Sequence, residues 1–199
     1  MSVFLEGRFA VLGYGSLIWD LDDLAPHVEL PWAMGGGPLL PMEFSRISPK
    51  RKMGLVVVLD PDNGVPCPTH AIASVKTDIH SVADDLMRRE RAKSIEQIGA
   101  VCMNTGFVRT KMPSVGEAVK VWCDTVGARG AVWTDLPQNF ESETGRGFSL
   151  DTAIAYLRTL EGESLLEAKR YIDYAPKATA TPLRDKLNND SWWQSLPYQ

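Results

Sequence analysis

The sequence predicts an α+β fold, in which strands come first, one helix lies among them and helices come last. A run of five branched apolar residues over positions 55–59 is typical of a buried strand. Apolar residues recur at helical spacing within residues 79–92, which predicts the first helix. From residue 150 onward helical spacing dominates, so we expect two more helices over residues 150–160 and 164–174.

Shorter apolar segments predict the remaining strands. They cover residues 9–12, 39–47, 69–76, 107–110, 118–123 and 130–134. The segment over residues 26–37, with its glycines and prolines, is predicted to be a loop, and so is the polar segment over residues 141–147, which we also expect to be mobile. Trp192 and Trp193, close to the end of the chain, are predicted to pack onto the body of the protein.

The composition favours a cytoplasmic protein. A length of 199 residues predicts a single domain over residues 1–199, with a C-terminal helical extension over about 150–199. The three scattered cysteines form no C-x-x-C pair and suit a reducing compartment. A formal charge of −4 argues against a nucleic-acid partner. No apolar run approaches the roughly 20 residues of a membrane helix, so we expect no membrane partner, and we predict no particular oligomeric state.

A glycine-containing turn follows the first predicted strand. Gly13 and Gly15 flank an aromatic residue, and glycine tolerates positive φ and lets a ligand approach the backbone. The N–H groups of such a turn can hold an anionic or carbonyl oxygen. The turn lacks the third glycine of a dinucleotide-binding loop, the Gly-Lys-Ser/Thr of a P-loop and the glycines of a nucleophile elbow. The spacing alone equally allows a tight turn with no role in binding.

Residues 13–19 read Gly-Tyr-Gly-Ser-Leu-Ile-Trp, which resembles the signature of the γ-glutamylcyclotransferase superfamily, and most closely its ChaC-type, glutathione-directed branch. The resemblance implies a small mixed β-barrel surrounded by helices, with no cofactor and no metal. It also implies that the turn binds the γ-glutamyl group of the substrate. The residues carried over are Tyr14, Gly15, Ser16 and Leu17.

A second likeness lies before the Val-rich strand, where Phe44, Ser48 and Arg51 match a Phe-x-x-x-Ser-x-x-Arg segment of the ChaC type. It implies that Arg51 binds the substrate, and we expect it to hold the α-carboxylate. The alternative is that this segment is a basic surface loop, with the four cationic side chains Arg46, Lys50, Arg51 and Lys52.

The family's general acid/base is a glutamate at the end of a helix, in a Tyr-Leu-x-x-Arg-Glu pattern. Leu86, Arg89 and Glu90 match this pattern, and Asp85 stands where the tyrosine would be. The resemblance therefore implies that Glu90 is the acid/base and that it faces the same cavity as the glycine turn. A glutamate among arginines on a helix is otherwise typical of a solvated surface. Glu141 and Glu143 are fallback acids.

The reaction implied is release of 5-oxoproline from glutathione or a related γ-glutamyl compound, by attack of the substrate's α-amine on its own γ-carbonyl. Two alternatives remain. One is a cyclotransferase for γ-glutamyl amines or γ-glutamyl antibiotic intermediates. The other is a non-catalytic small-ligand-binding module, which Asp85 at the tyrosine position favours. His70 and His80 are not at ligand spacing, so no metal site is predicted, and Cys102 and Cys123 are expected to be buried hydrophobes.

Overall fold

The computed structural model describes residues 5–197, which fall into two compact units. The first unit consists of Met1–Leu40 and Pro68–Leu136, and the second of Pro41–Cys67 and Pro137–Gln199. Within the first unit, the points at which the chain leaves and returns are neighbours. The N–H and the hydroxyl of Thr69 both donate to the carbonyl of Pro38, at 3.1 and 2.8 Å.

Both units combine helices with a sheet, so the predicted α+β class is confirmed. The strands of the described chain are β1 (Phe9–Gly13), β2 (Val28–Ala33), β3 (Leu39–Ser48), β4 (Gly54–Leu59), β5 (Val65–Pro68), β6 (His70–Ser74), β7 (Ile98–Cys102), β8 (Phe107–Arg109) and β9 (Gly130–Thr134). The α-helices are α1 (Ile79–Glu90), α2 (Pro113–Val126), α3 (Phe140–Thr144), α4 (Leu150–Leu157), α5 (Gly162–Tyr174), α6 (Pro182–Asn188) and α7 (Ser191–Ser195).

The two sheets are open, so the expected closed barrel is wrong. The first unit contains a sheet of order β2-β6-β1-β9-β7-β8, and the other sheet has the order β4-β3-β5. The outer strands of the larger sheet have features that are common at sheet edges. Pro31 lies inside β2 and removes one ladder donor, and β8 spans only Phe107–Arg109.

The direction of the strands brings several connections to one end of the larger sheet. β1 and β9 run parallel, so both finish at the same end, which we call the loop end because residues 14–17 follow β1 there. β6 is antiparallel to β1 and begins at this end, where His70 lies opposite Gly13. Since α1 follows β6, it starts at the far end of the sheet and returns, so that Glu90 comes to the loop end.

α1 packs on this sheet through an apolar stripe. Val82, Ala83 and Leu86 have no exposed surface and belong to one core cluster with strand residues such as Phe9 and Ile72. The helix begins where the carboxylate of Asp78 accepts the N–H of Ser81 at 2.9 Å. It ends at Arg91, whose φ of 50° is left-handed. The predicted helix over residues 79–92 is thus confirmed to within two residues.

In the second unit, helices cover the three-stranded sheet. Every residue of β4 is buried, and α5 packs against it. α4 begins at Leu150, as predicted, and the side chain of the preceding Ser149 forms a reciprocal capping box with Thr152. The indole of Trp193 is fully buried and donates to Asp173 at 3.2 Å, which confirms that this tail packs onto the body.

Three predictions of secondary structure were also wrong. Residues 118–123, predicted as a strand, lie inside α2, which begins at Pro113 and is followed by Gly127 at a φ of 70°. The buried residues of α2 follow the helical period, whereas Val121 in the alternating pattern is 67% exposed. The segment predicted as a loop over residues 26–37 contains β2, and the segment over residues 141–147 is largely α3. None of the helices within residues 5–197 is long and apolar enough to cross a bilayer.

Candidate functional site

The turn after β1 requires its two glycines. A Cβ on Gly13 would lie 2.6 Å from a ring carbon of Trp32 and 2.7 Å from Cδ1 of Ile18, so a larger residue there would displace both side chains. Gly15 has a φ of 68°, in the left-handed region that favours glycine. It begins a 3₁₀ turn over Gly15–Ile18, whose first N–H groups have no partner inside the turn.

The turn is anchored on both sides. The hydroxyl of Tyr14 donates to the carbonyl of Thr134, at the end of the parallel neighbour β9. Leu17 is 3% exposed and lies in the core cluster that also contains Leu86 of α1. The carbonyl of Ser16 accepts the N–H of Asp20 at 3.0 Å. These contacts fix the position of the turn relative to β9 and α1.

Glu90 lies at the loop end and is linked to the segment that leaves the turn. Its carboxylate accepts a hydrogen bond from Arg89 at 2.7 Å, and the two side chains are only 19% and 8% exposed. The other terminal nitrogen of Arg89 donates to the carbonyl of Asp20 at 2.5 Å. Arg89 therefore connects the candidate acid/base to the residue four positions after Ser16, a link that the sequence did not predict.

Arg51 belongs to the second unit. It ends a 3₁₀ turn over Pro49–Arg51, and its guanidinium lies 3.1 Å from the carboxylate of Glu167 and 5.3 Å from the ring centre of Tyr171. Glu167 also accepts hydrogen bonds from Arg170. The charge of Arg51 is thus paired within its own unit, and its role in substrate binding stays a prediction.

Asp85, at the position where the resemblance places a tyrosine, is a buried carboxylate. It is 2% exposed, accepts a hydrogen bond from Arg88, and lies 3.6 Å from Nδ1 of His27. These contacts lie between α1 and the segment before β2, and the Arg88 side chain is itself largely exposed. The fallback acids Glu141 and Glu143 are exposed on α3 of the second unit.

The cysteines and His70 have structural surroundings. Cys102 and Cys123 are buried, as predicted, and burial together with the neighbouring Cys102 raises the pKa of Cys123 to about 12. His70 is 2% exposed, its Nδ1 accepts the N–H of Gly35 at 2.7 Å, and burial lowers its pKa. Within residues 5–197, no three His, Cys, Asp or Glu side chains are grouped so that they could hold a metal ion.

Two residues at the loop end were missed by the sequence analysis. Asp135 has no exposed surface and accepts hydrogen bonds from the N–H of Lys111 at 2.7 Å and the indole of Trp133 at 3.0 Å. It fixes the chain directly after the Thr134 carbonyl that Tyr14 contacts. The other missed residue is Arg109, whose Nε donates to the carbonyl of Ile98 at 2.9 Å. Neither residue stands in a local motif that could have indicated its role.

The loop end thus combines a rigid glycine turn with a half-buried carboxylate. N–H groups at the start of a 3₁₀ turn can hold a carbonyl or carboxylate oxygen. A carboxylate can take up a proton from a bound ammonium group and return it to another atom. Comparison with protein-family models, with curated proteins and with solved structures found no match to this chain.

Proposed function

We propose that this protein is a γ-glutamylcyclotransferase that releases 5-oxoproline from glutathione or a related γ-glutamyl compound. The observation that supports the proposal most is the link from Glu90 through Arg89 to Asp20, because it holds a carboxylate beside the glycine turn. As part of this proposal, the glycine turn and Glu90, at the loop end of the open six-stranded sheet, have the same roles as their counterparts in the cyclotransferase family. A cytoplasmic location, expected from the three scattered cysteines, is part of it.

The reaction asks little of the protein because the nucleophile and the electrophile belong to one molecule. The α-amine of the γ-glutamyl group attacks the γ-carbonyl and closes a five-membered lactam. Well-oriented intramolecular reactions reach effective molarities of about 10⁵–10⁸ M, so holding the substrate in a folded conformation supplies much of the acceleration. The turn that begins at Gly15 would hold the carbonyl oxygen, and its N–H groups would stabilise the negative charge that develops there.

One carboxylate can carry out both proton transfers. Glu90 accepts a proton from the α-ammonium group, which frees the lone pair that forms the new C–N bond. It then donates that proton to the nitrogen of the leaving group as the old C–N bond breaks. The surplus proton that the ring nitrogen carries after the attack also passes to the released amine, so the products are a neutral lactam and an ammonium group. The hydrogen bond from Arg89 orients the carboxylate throughout. The reaction needs neither a redox step nor a water molecule.

The second candidate is a small-ligand-binding module on the same scaffold. The ion pair between Arg89 and Glu90 favours it. A carboxylate paired with a nearly buried guanidinium would, in this second candidate, have the purely structural role of joining α1 to the turn. In that case a ligand would bind against the turn without being converted. The two candidates differ in whether the charge of Glu90 is needed for turnover.

The test is release of 5-oxoproline from glutathione by the purified protein and by Glu90→Gln. Glutamine keeps the shape but cannot take up the proton, so kcat should fall by at least about 100-fold, while KM changes much less. Glu96→Gln is the matched control, because Glu96 is an exposed glutamate in the 3₁₀ turn Ile95–Gln97. It should leave kcat unchanged.

Two results would contradict the proposal. If Glu90→Gln kept a normal kcat while Glu141→Gln abolished it, the base would lie on α3. If the unmodified protein bound γ-glutamyl compounds saturably but released no 5-oxoproline, the binding module would be the correct function.

A further inference from the structure

Arg109 brings a cation to the loop end from the edge strand β8. Its Cα lies opposite that of Ala100, in the middle of β7. The side chain runs from there towards the start of β7, where its Nε donates to the carbonyl of Ile98 at 2.9 Å. Ile98 in turn lies opposite Thr134, the residue that Tyr14 contacts. The guanidinium is therefore at the same end of the sheet as the glycine turn.

Arg109 is also on the same face of the sheet as α1. Residues two apart in a strand share a face, and the guanidinium lies 5.7 Å from the ring centre of Phe107. Phe107 packs against the core cluster beneath α1, and its ring contacts that of His80 on this helix at 5.1 Å. Leu17 of the glycine turn belongs to the same cluster. Arg109, the turn and α1 are thus on the same face of the sheet.

The charge of Arg109 is not matched by an acid. Within residues 5–197, the arginines of α1 and its cap each pair with a carboxylate, whereas Arg109 makes only its bond to Ile98 and its contact with Phe107. One terminal nitrogen of Arg109 is buried and has no hydrogen-bond partner. A buried guanidinium N–H without an acceptor is unfavourable, and the carboxylate of a bound molecule would supply that acceptor together with a matching charge.

The spacing of the strands gives the distance between the glycine turn and Arg109, and therefore the length of a ligand that could contact both. β1 is followed by β9 and β7 across the sheet, and neighbouring strands lie about 4.8 Å apart. The bond to Ile98 therefore puts the guanidinium about 10 Å from the end of β1. An extended peptide spans about 3.5 Å per residue. A γ-glutamyl group held by the turn and followed by one or two residues covers this distance.

The geometry points to Arg109 as the residue that binds a carboxylate on the leaving group. This inference rests on the proposed function, and it names the substrate class: γ-glutamyl peptides with a free terminal carboxylate, in preference to γ-glutamyl amines. The guanidinium matches a carboxylate with parallel N–H donors, which a neutral amide or an alkyl group does not satisfy.

The experiment compares glutathione with the same peptide whose terminal carboxylate is a carboxamide. Calorimetry with each peptide measures affinity, and 5-oxoproline release measures kcat/KM. The unmodified protein should prefer the acid by about 10- to 100-fold in both. Arg109→Gln should bind both peptides with the affinity that the unmodified protein has for the amide, and Arg109→Lys should keep part of the preference.

Arg129→Gln is the matched control, because Arg129 stacks on Phe9 at 4.9 Å but lies next to Gly130, at the opposite end of β9. It should keep the full preference, and melting curves show whether each variant is folded. A preference for the acid that survives in folded Arg109→Gln, or no binding of either peptide by the unmodified protein, overturns the inference. A preference that disappears in Arg109→Gln without any 5-oxoproline release supports the inference and contradicts only the proposed function. Release of 5-oxoproline with no preference for the acid supports the proposed function and contradicts the inference about Arg109.

Discussion

Replacement of Arg89 by methionine should uncouple Glu90 from the glycine turn. Arg89→Met keeps the apolar stem of the side chain but removes its bonds to Glu90, at 2.7 Å, and to the carbonyl of Asp20, at 2.5 Å. Hydrogen bonds that involve a charged group contribute about 1.5–3 kcal/mol each when they are shielded from water. Because 8% and 19% of the two side chains stay in contact with water, which recovers part of the loss of the two bonds, we expect the variant to lose about 2–4 kcal/mol of unfolding free energy.

A double-mutant cycle isolates the share that belongs to the ion pair. In a Glu90→Gln background, Arg89→Met removes no ion pair, so it should cost about 1–2 kcal/mol, which leaves a coupling of about 1–2 kcal/mol. Urea unfolding followed by circular dichroism gives the four free energies. The control cycle uses Lys120 and Glu117, an exposed pair on α2, whose coupling should stay below about 0.5 kcal/mol. A coupling that small between Arg89 and Glu90 would refute the reasoning.

Three further predictions concern buried groups. Asp135→Asn should cost about 2–3 kcal/mol in urea unfolding, because either orientation of the amide points its NH₂ group at the donor of Lys111 or of Trp133; a loss below about 0.5 kcal/mol would contradict this. Burial raises the pKa of Glu43 above its ordinary value of 4.5, so the folded state favours the protonated acid. The unfolding free energy of the unmodified protein, minus that of Glu43→Gln, should therefore be highest below about pH 4.5 and should fall as the pH rises through the raised pKa. If this quantity did not change with pH, the prediction would be wrong. Because burial raises the pKa of Cys123 to about 12, its thiol should react with a disulfide reagent at pH 8 only after urea is added, and fast modification of the folded protein, located by mass spectrometry, would show otherwise.

Local patterns in the sequence predicted most of the elements of this fold. The branched apolar run of β4 is compatible only with a strand and the spacing of α1 only with a helix, and the structure confirms both. Residues 118–123 are compatible with either a helix or a strand, because Val119 and Cys123, four positions apart, share one face in both. Pro113 and Gly127, which bound α2, were the signals that should have decided for the helix.

The candidate site was predictable only where it depends on a motif. Residues 14–17 and Glu90 could be named from their sequence, because the turn and the helix end are local features. Arg109 could not, since its position depends on β8 pairing with β7 and on β7 pairing with β9. The hydrogen bond from Tyr14 to Thr134 joins residues 120 positions apart, and no local pattern encodes it.

The neighbouring positions of Pro38 and Thr69 have a consequence for how this chain can be altered. Seen from the first unit, residues 41–67 are an insertion between two points that are already hydrogen-bonded to each other. The free energy of closing a loop changes slowly with its length, so the pairing of β2 with β6 depends only weakly on how long the insertion is. The glycine turn and Glu90 lie outside the insertion, whereas Arg51 lies inside it. Insertions of different length or sequence at this place would therefore change the surroundings of Arg51 while the glycine turn and the catalytic candidate Glu90 keep their supports.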